Sequence, residues 1–295
     1  MNGEYKMKLL ATLIAQITLL SSILIYSNTN KIDEHCTLID PVERRISVFN
    51  KTGMDEVTFN LVIDHFTKVY EPIVKESGYT LKVHRLWNDD TVNANTTVSG
   101  KYWIVNAFGG LARHEMMDAE TYLAVMLHEI GHHLGGYPKK SWATNEGGAD
   151  YYATLKGFRL MIQSGAISNI YDAPVPPSVS KMCAVQHKSA QEIAICKKSS
   201  FIGYKLARVL NNLSNSSANI SFDTPDKKEV LETYNGHPKA QCRLDTYFAG
   251  SVCGKSHKDE LSADSPCQGA CAEECNDITG VRSRCWYRPK KLFLL

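Results

Sequence analysis

His128-Glu129-Ile130-Gly131-His132 sets two imidazoles four residues apart with a carboxylate between them. On a helix that spacing stacks both rings on one face, a turn apart, where they can hold a single metal ion. Glu129 points about 100° around the helix from His128, so it reaches an open coordination position rather than the ion. That is where a general base acting on water must stand. The bland alternative is a helix with two surface histidines. A second motif argues against it: in Asn145-Glu146-Gly147-Gly148-Ala149-Asp150, Glu146 and Asp150 again share one helical face. Glu146 is assigned as the third ligand, and Asp150 as the acceptor for the far nitrogen of a ligand histidine, fixing its tautomer. The exchanged assignment, with Asp150 on the metal, is chemically permissible. Both acids would otherwise only solvate a helix or cap its N-terminus. The donor set implies one catalytic zinc ion, with water as the fourth ligand.

His-Glu-x-x-His followed by Asn-Glu-x-x-Ala-Asp resembles the gluzincin metallopeptidases, thermolysin among them. Upstream, Val92-Asn93-Ala94, Gly100-Lys101-Tyr102-Trp103-Ile104-Val105, Gly110-Leu111 and Ala124-Val125-Met126-Leu127-His128-Glu129 resemble the CaaX-prenyl-protease and HtpX group of gluzincins. The likeness spans about Trp87 to Thr154. It implies a zinc metalloendopeptidase with His128, His132 and Glu146 on the metal, Glu129 as base and Asp150 as supporting aspartate. It also implies a peptide or protein substrate lying extended along an edge strand, with Asn93 and Ala94 bordering the cleft. Asn106-Ala107 is a second Asn-Ala pair that could serve. Gluzincins often stabilise the oxyanion with a downstream His or Tyr, for which His187, His237 and Tyr234 are unranked candidates. Only 13 residues separate His132 from Glu146, fewer than is usual in the family, which predicts a tight turn through Gly135 to Lys140 and a compact, open site. Metzincins would need a third histidine where this chain has Pro138, and proline cannot ligate zinc. His133 faces away from the ligand pair and is expected as a polar cap near the helix C-terminus. The competing function is an exported binding or adhesion protein with a structural or vestigial zinc. Structural sites are closed and rarely keep a glutamate beside an open position, which favours the enzyme.

The elements that must position these groups follow from periodicity. Met54 to Lys75 carries Val57, Leu61, Ile63, Phe66, Val69 and Ile73 near the helical period, interrupted by Pro72, and should pack against a sheet. Tyr79 to Trp87 and Tyr102 to Val105 read as strands. Asp118 caps the helix that carries the pentad, with Leu123, Met126, Leu127 and Ile130 as its buried stripe and Gly135-Gly136 as its stop. A further helix runs from about Asn145 to Gln163. Pro174 to Pro177 looks like a linker, and Phe201 to Leu213 like an amphipathic helix. The expected fold is α+β: a zincin-like catalytic domain, residues 28–175, with a small sheet and an active-site helix. A cysteine-rich, mostly helical region, residues 176–295, follows.

The 33 basic residues nearly balance 31 acidic ones, so no global field favours nucleic acid as a partner. Lys6 and Lys8 precede an apolar run from Leu9 to Tyr26. It reads as an export signal within residues 1–27, either cleaved or retained as a membrane anchor, and places the protein in the periplasm or outside the cell. Eight of nine cysteines lie beyond residue 180, in keeping with disulfides in an oxidising compartment. None falls between Asn50 and Ser180, which excludes cysteine catalysis or thiolate ligation there. Cys183 with Cys196 and Cys242 with Cys253 have spacings that suit local bridges, and Cys267, Cys271, Cys275 and Cys285 form a dense cluster. The odd count leaves Cys36 as the candidate for a thiol unpaired or shared with another chain.

Overall fold

The computed structural model describes residues 36–40, 44–49 and 52–290. The expected export segment, residues 1–27, lies outside them. Among the described residues, no helix is long and apolar enough to cross a membrane.

The architecture is α+β. Asp55 starts helix α1 (Glu56–Glu76) by accepting from the Thr58 amide at 2.7 Å, and Glu56 and Lys75 complement the helix dipole at its two ends. Its buried stripe is Phe59, Val62, Ile63, Phe66, Tyr70 and Val74, while Val57 and Leu61 face solvent. The expected face was therefore rotated, because Tyr70 and Phe59 outcompete the smaller Val57 and Leu61 for the core. Pro72 lies on the exposed side, where a missing N–H is tolerated.

Strands β1 (Cys36–Thr37), β2 (Thr80–Leu86), β3 (Ala94–Ser99) and β4 (Tyr102–Phe108) form a mixed sheet in the order β1-β3-β4-β2. β2 runs parallel to β4, and β3 is antiparallel to both β4 and β1. Gly100 turns β3 into β4 with φ of 58°, a backbone open to glycine at little cost. Ala94 and Thr96 on β3 and Trp103, Val105 and Ala107 on β4 point to the core.

Helix α2 (Ala119–Leu134) is the centre of the molecule. Asp118 caps it by accepting from both the Thr121 amide and hydroxyl. Every residue from Thr121 to His133 is buried, so the expected stripe is only one side of a helix covered all round. It packs against α1, β3, β4 and the helices that follow. Gly135 and Gly136 end it as expected, with Gly136 at φ of 65°. A short hairpin, β5 (Lys139–Lys140) and β6 (Ala143–Thr144), makes the tight turn. Asn145 then caps α3 (Glu146–Tyr152), whose path continues through a π turn over residues 153–157 into α4 (Phe158–Gln163). A π turn inside a helix is often found beside a functional site.

The described residues from Cys36 onward make one compact unit, and buried residues on both sides of Pro174 share one core. Helices α5 (Pro177–Gln186), α6 (Ala190–Leu213) and α7 (Ala240–Val252) follow it. α6 starts eleven residues before the expected Phe201, capped by Ser189; buried Lys198, paired with Glu120 at 2.8 Å, masks its apolar period. α6 packs on α2, and α7 on α3.

Cys183–Cys196 is bridged as expected, together with Cys242–Cys285, Cys253–Cys271 and Cys267–Cys275. The expected Cys242–Cys253 pair is overturned. The two residues flank α7 at opposite ends, about 16 Å apart by helical rise, far beyond the reach of one disulfide. Cys242–Cys285 instead brings Trp286 onto the start of α3, where a Cβ on Gly147 would lie 2.2 Å from the indole.

Candidate metal centre

α2 presents His128 and His132, and α3 presents Glu146 and Asp150, so two helices meeting at a tight hairpin build the whole cluster. His128 Nδ1 donates to Asp150 Oδ1 at 2.7 Å, and His132 Nδ1 donates to the Thr144 carbonyl at 2.9 Å. Both tautomers are thereby set, leaving each neutral ring with a bare lone pair at Nε2. Those two nitrogens face each other at 3.2 Å, with Glu146 oxygens 3.2 and 3.4 Å away. Three acceptors in mutual contact repel unless a cation lies among them. Zinc bonds of about 2.0–2.1 Å in tetrahedral array space the ligand atoms about 3.3 Å apart, so the donor set fits that ion. His128, His132 and Glu146 are also the buried trio whose ligand atoms all lie within 4.8 Å of one another.

Without a metal, protons bear the electrostatic load. Burial works against charge on His128, but Asp150 and Glu146 outweigh it and raise its pKa to about 9. Burial and the neighbouring His128 push His132 down to about 4. Glu146 is held at about 2: burial alone would raise it, and the histidines more than reverse this. Glu129 is different. It is fully buried, neither carboxylate oxygen has a hydrogen-bond partner, and burial lifts its pKa to about 8. An orphaned buried carboxylate is costly and calls for a partner that arrives with function.

Asp150 is anchored by groups the sequence did not reveal. Arg243 donates to its two oxygens through Nε and Nη2, both at 2.7 Å, and Tyr247 donates its hydroxyl at 2.6 Å. Burial would raise the Asp150 carboxyl, but Arg243 and His128 hold it well below the usual range. Arg243 and Tyr247 stand one turn apart on α7, and Pro238, just ahead of that helix, was the available start signal.

His237 reaches the cluster as well. Its Nε2 lies 3.6 Å from Glu146 Oε1 and 2.6 Å from the Thr37 carbonyl, while Nδ1 faces Asp40 at 2.7 Å. Of the other oxyanion candidates, His187 is turned to the Ser251 carbonyl, and Tyr234 meets the site's elements through its backbone carbonyl, bonded by Asn145. His133 is corrected from a polar cap to a buried core group. It stacks on Trp103 at 4.5 Å between centroids and bonds Thr96 Oγ1 at 2.7 Å. The Thr96 hydroxyl donates to Ile104, so His133 Nε2 carries the proton, and burial keeps the ring neutral.

Asn93 precedes β3 and Ala94 opens it, on the side that β1 covers, and both are buried and engaged by the chain itself. The Asn93 amide bonds the backbone of Ile39 through both its oxygen and its nitrogen, and the Ala94 carbonyl accepts from Leu38. Asn106 and Ala107 sit on β4 between two strands and offer no free edge. Comparison with protein-family models, curated proteins and solved structures yields no match for this chain.

Proposed function

We propose that this protein is a zinc-dependent endopeptidase of the gluzincin type, exported to an oxidising compartment. The observation that carries the reading is the convergence of three acceptor side chains beside an orphaned, buried Glu129. His128, His132 and Glu146 hold the ion. Zinc there supplies Lewis acidity toward a carbonyl oxygen and acidifies water.

The protein's own groups do the rest. Glu129 takes a proton from the attacking water and passes it to the leaving amine, a role open to a buried carboxyl neither of whose oxygens has another hydrogen-bond partner. Asp150, fixed by Arg243 and Tyr247, keeps His128 in the tautomer that turns Nε2 inward. His237 Nε2 donates to the oxygen on which negative charge develops. An extended peptide pairs with β3 through its backbone, with the Asn93 amide as an added clamp.

Four disulfides support the export reading, since such bonds persist outside reducing compartments. A structural zinc would give Glu129 no task. Hydrolysis of an unfolded protein should stop with a chelator and return with added zinc; hydrolysis indifferent to chelation would overturn the proposal.

A further inference from the structure

The segment Cys36–Asp40 runs antiparallel to β3, with Cys36 opposite Thr96 and Thr37 opposite Asn95. That is the direction and place an extended substrate needs, and its backbone contacts are ones a peptide would use. The Leu38 amide bonds the Ala94 carbonyl at 3.0 Å. The Asn93 side chain brackets Ile39, accepting from its amide and donating to its carbonyl. The Leu38 carbonyl accepts from Arg243 at 2.7 Å, and the Thr37 carbonyl from His237 at 2.6 Å. The Leu38 side chain is fully buried, and it sits in the same core as α2.

The two carbonyls are distinguished by what holds them. Arg243 is the anchor of Asp150, behind a ligand histidine, whereas His237 Nε2 is within 3.6 Å of the ligand Glu146 itself. The Thr37 carbonyl is therefore the one presented to the centre. Its bonds take up the Ala94 carbonyl and the Asn93 amide, so no second peptide can use them while the segment is in place.

We infer that Cys36–Asp40 is bound in the place of the substrate, with the Thr37–Leu38 peptide at the catalytic position, and holds the protein latent until it leaves. The inference rests on the peptidase reading for its meaning. A tethered occupant competes at an effective concentration that reaches the millimolar range for short tethers, so it shuts out peptides of ordinary affinity.

The test fixes the segment in place. Facing residues of an antiparallel pair lie within disulfide reach, which allows a Thr37→Cys/Asn95→Cys bridge. It is made in a Glu129→Gln background to prevent cleavage, with each cysteine alone as control. The probe is a fluorescein-labelled peptide carrying Ser-Thr-Leu-Ile-Asp, followed by anisotropy. The bridged protein should bind at least about tenfold more weakly than either control. Equal binding would overturn the inference. Leu38→Asp, checked for folding by circular dichroism, should loosen the segment and tighten peptide binding; where it unfolds the chain, the bridge alone decides. Binding that responds to the bridge without hydrolysis by any variant would sink the peptidase reading and leave self-occupation standing. Hydrolysis that the bridge leaves untouched, measured with Glu129 restored, would do the reverse.

Discussion

Asp150→Asn is the substitution that reaches furthest into this site. The carboxylate accepts four bonds: one from His128, two from Arg243 and one from Tyr247. An amide of the same shape offers one oxygen and turns an NH2 group toward groups that are themselves donors. The Arg243 guanidinium, 2% exposed, is left without its counter-charge. Breaking a buried pair by removing one partner costs about 3–5 kcal/mol. In a chain of this size that corresponds to a fall in Tm of roughly 5–8 °C. Zinc affinity should fall about 10- to 100-fold, because His128 loses both its orientation and the carboxylate behind it. Urea unfolding of chelator-treated protein measures the first effect and competition with a fluorescent chelator the second. The sign with pH is defined. Asp150 is held below its ordinary pKa, so its contribution is present above the unfolded value near 3.8 and is lost only as pH falls through the folded one. The deficit should therefore be flat from about pH 5 to 6.5 and shrink as pH rises toward 9, because the raised pKa of His128, about 9 against 6.5, depends on Asp150. A loss under about 1 kcal/mol, with zinc affinity unchanged, would refute the idea that Arg243 and Asp150 orient His128. Glu146→Ala should strip zinc more severely than Asp150→Asn, and the opposite order would move Asp150 onto the metal.

In the metal-free protein Glu129→Gln should be stabilising, increasingly so at higher pH. The wild-type carboxyl has a folded pKa of about 8 against 4.5, so its protonated form loses ground as pH rises through that window; a gap independent of pH would contradict the burial argument. With the Cys36–Asp40 segment released by Leu38→Asp, His237→Ala should lower kcat roughly 100- to 1,000-fold with little change in KM, and an equal effect on both would reduce His237 to a substrate contact. Peptide mapping without reduction should recover Cys242 linked to Cys285 and Cys253 to Cys271. Replacing Cys242 and Cys285 by serine should cost about 2–5 kcal/mol, and a recovered Cys242–Cys253 peptide would rule out α7 as a helix.

The metal cluster was legible in the sequence because its spacing is local. His128 and His132, then Glu146 and Asp150, are each one helical turn apart, and the Gly135-Gly136 stop brings their helices together. Arg243 and Tyr247 were not assignable and His237 could not be ranked above His187 and Tyr234, since each meets its partner roughly ninety residues or more away. β3 was hidden by its polar Asn-Thr-Thr run, in which only Ala94 and Thr96 turn inward. The disulfide pairing failed for a related reason: spacing along the chain suggested Cys242–Cys253, but an intervening helix holds the two apart.

Zinc content and hydrolysis of an unfolded protein, compared between Leu38→Asp and the double variant Leu38→Asp/Glu129→Gln, decide whether the metal centre is catalytic. Both should carry about one zinc per chain, and only the protein with Glu129 should hydrolyse the substrate. Equal hydrolysis by the two, or full zinc occupancy with no hydrolysis by either, would contradict the account.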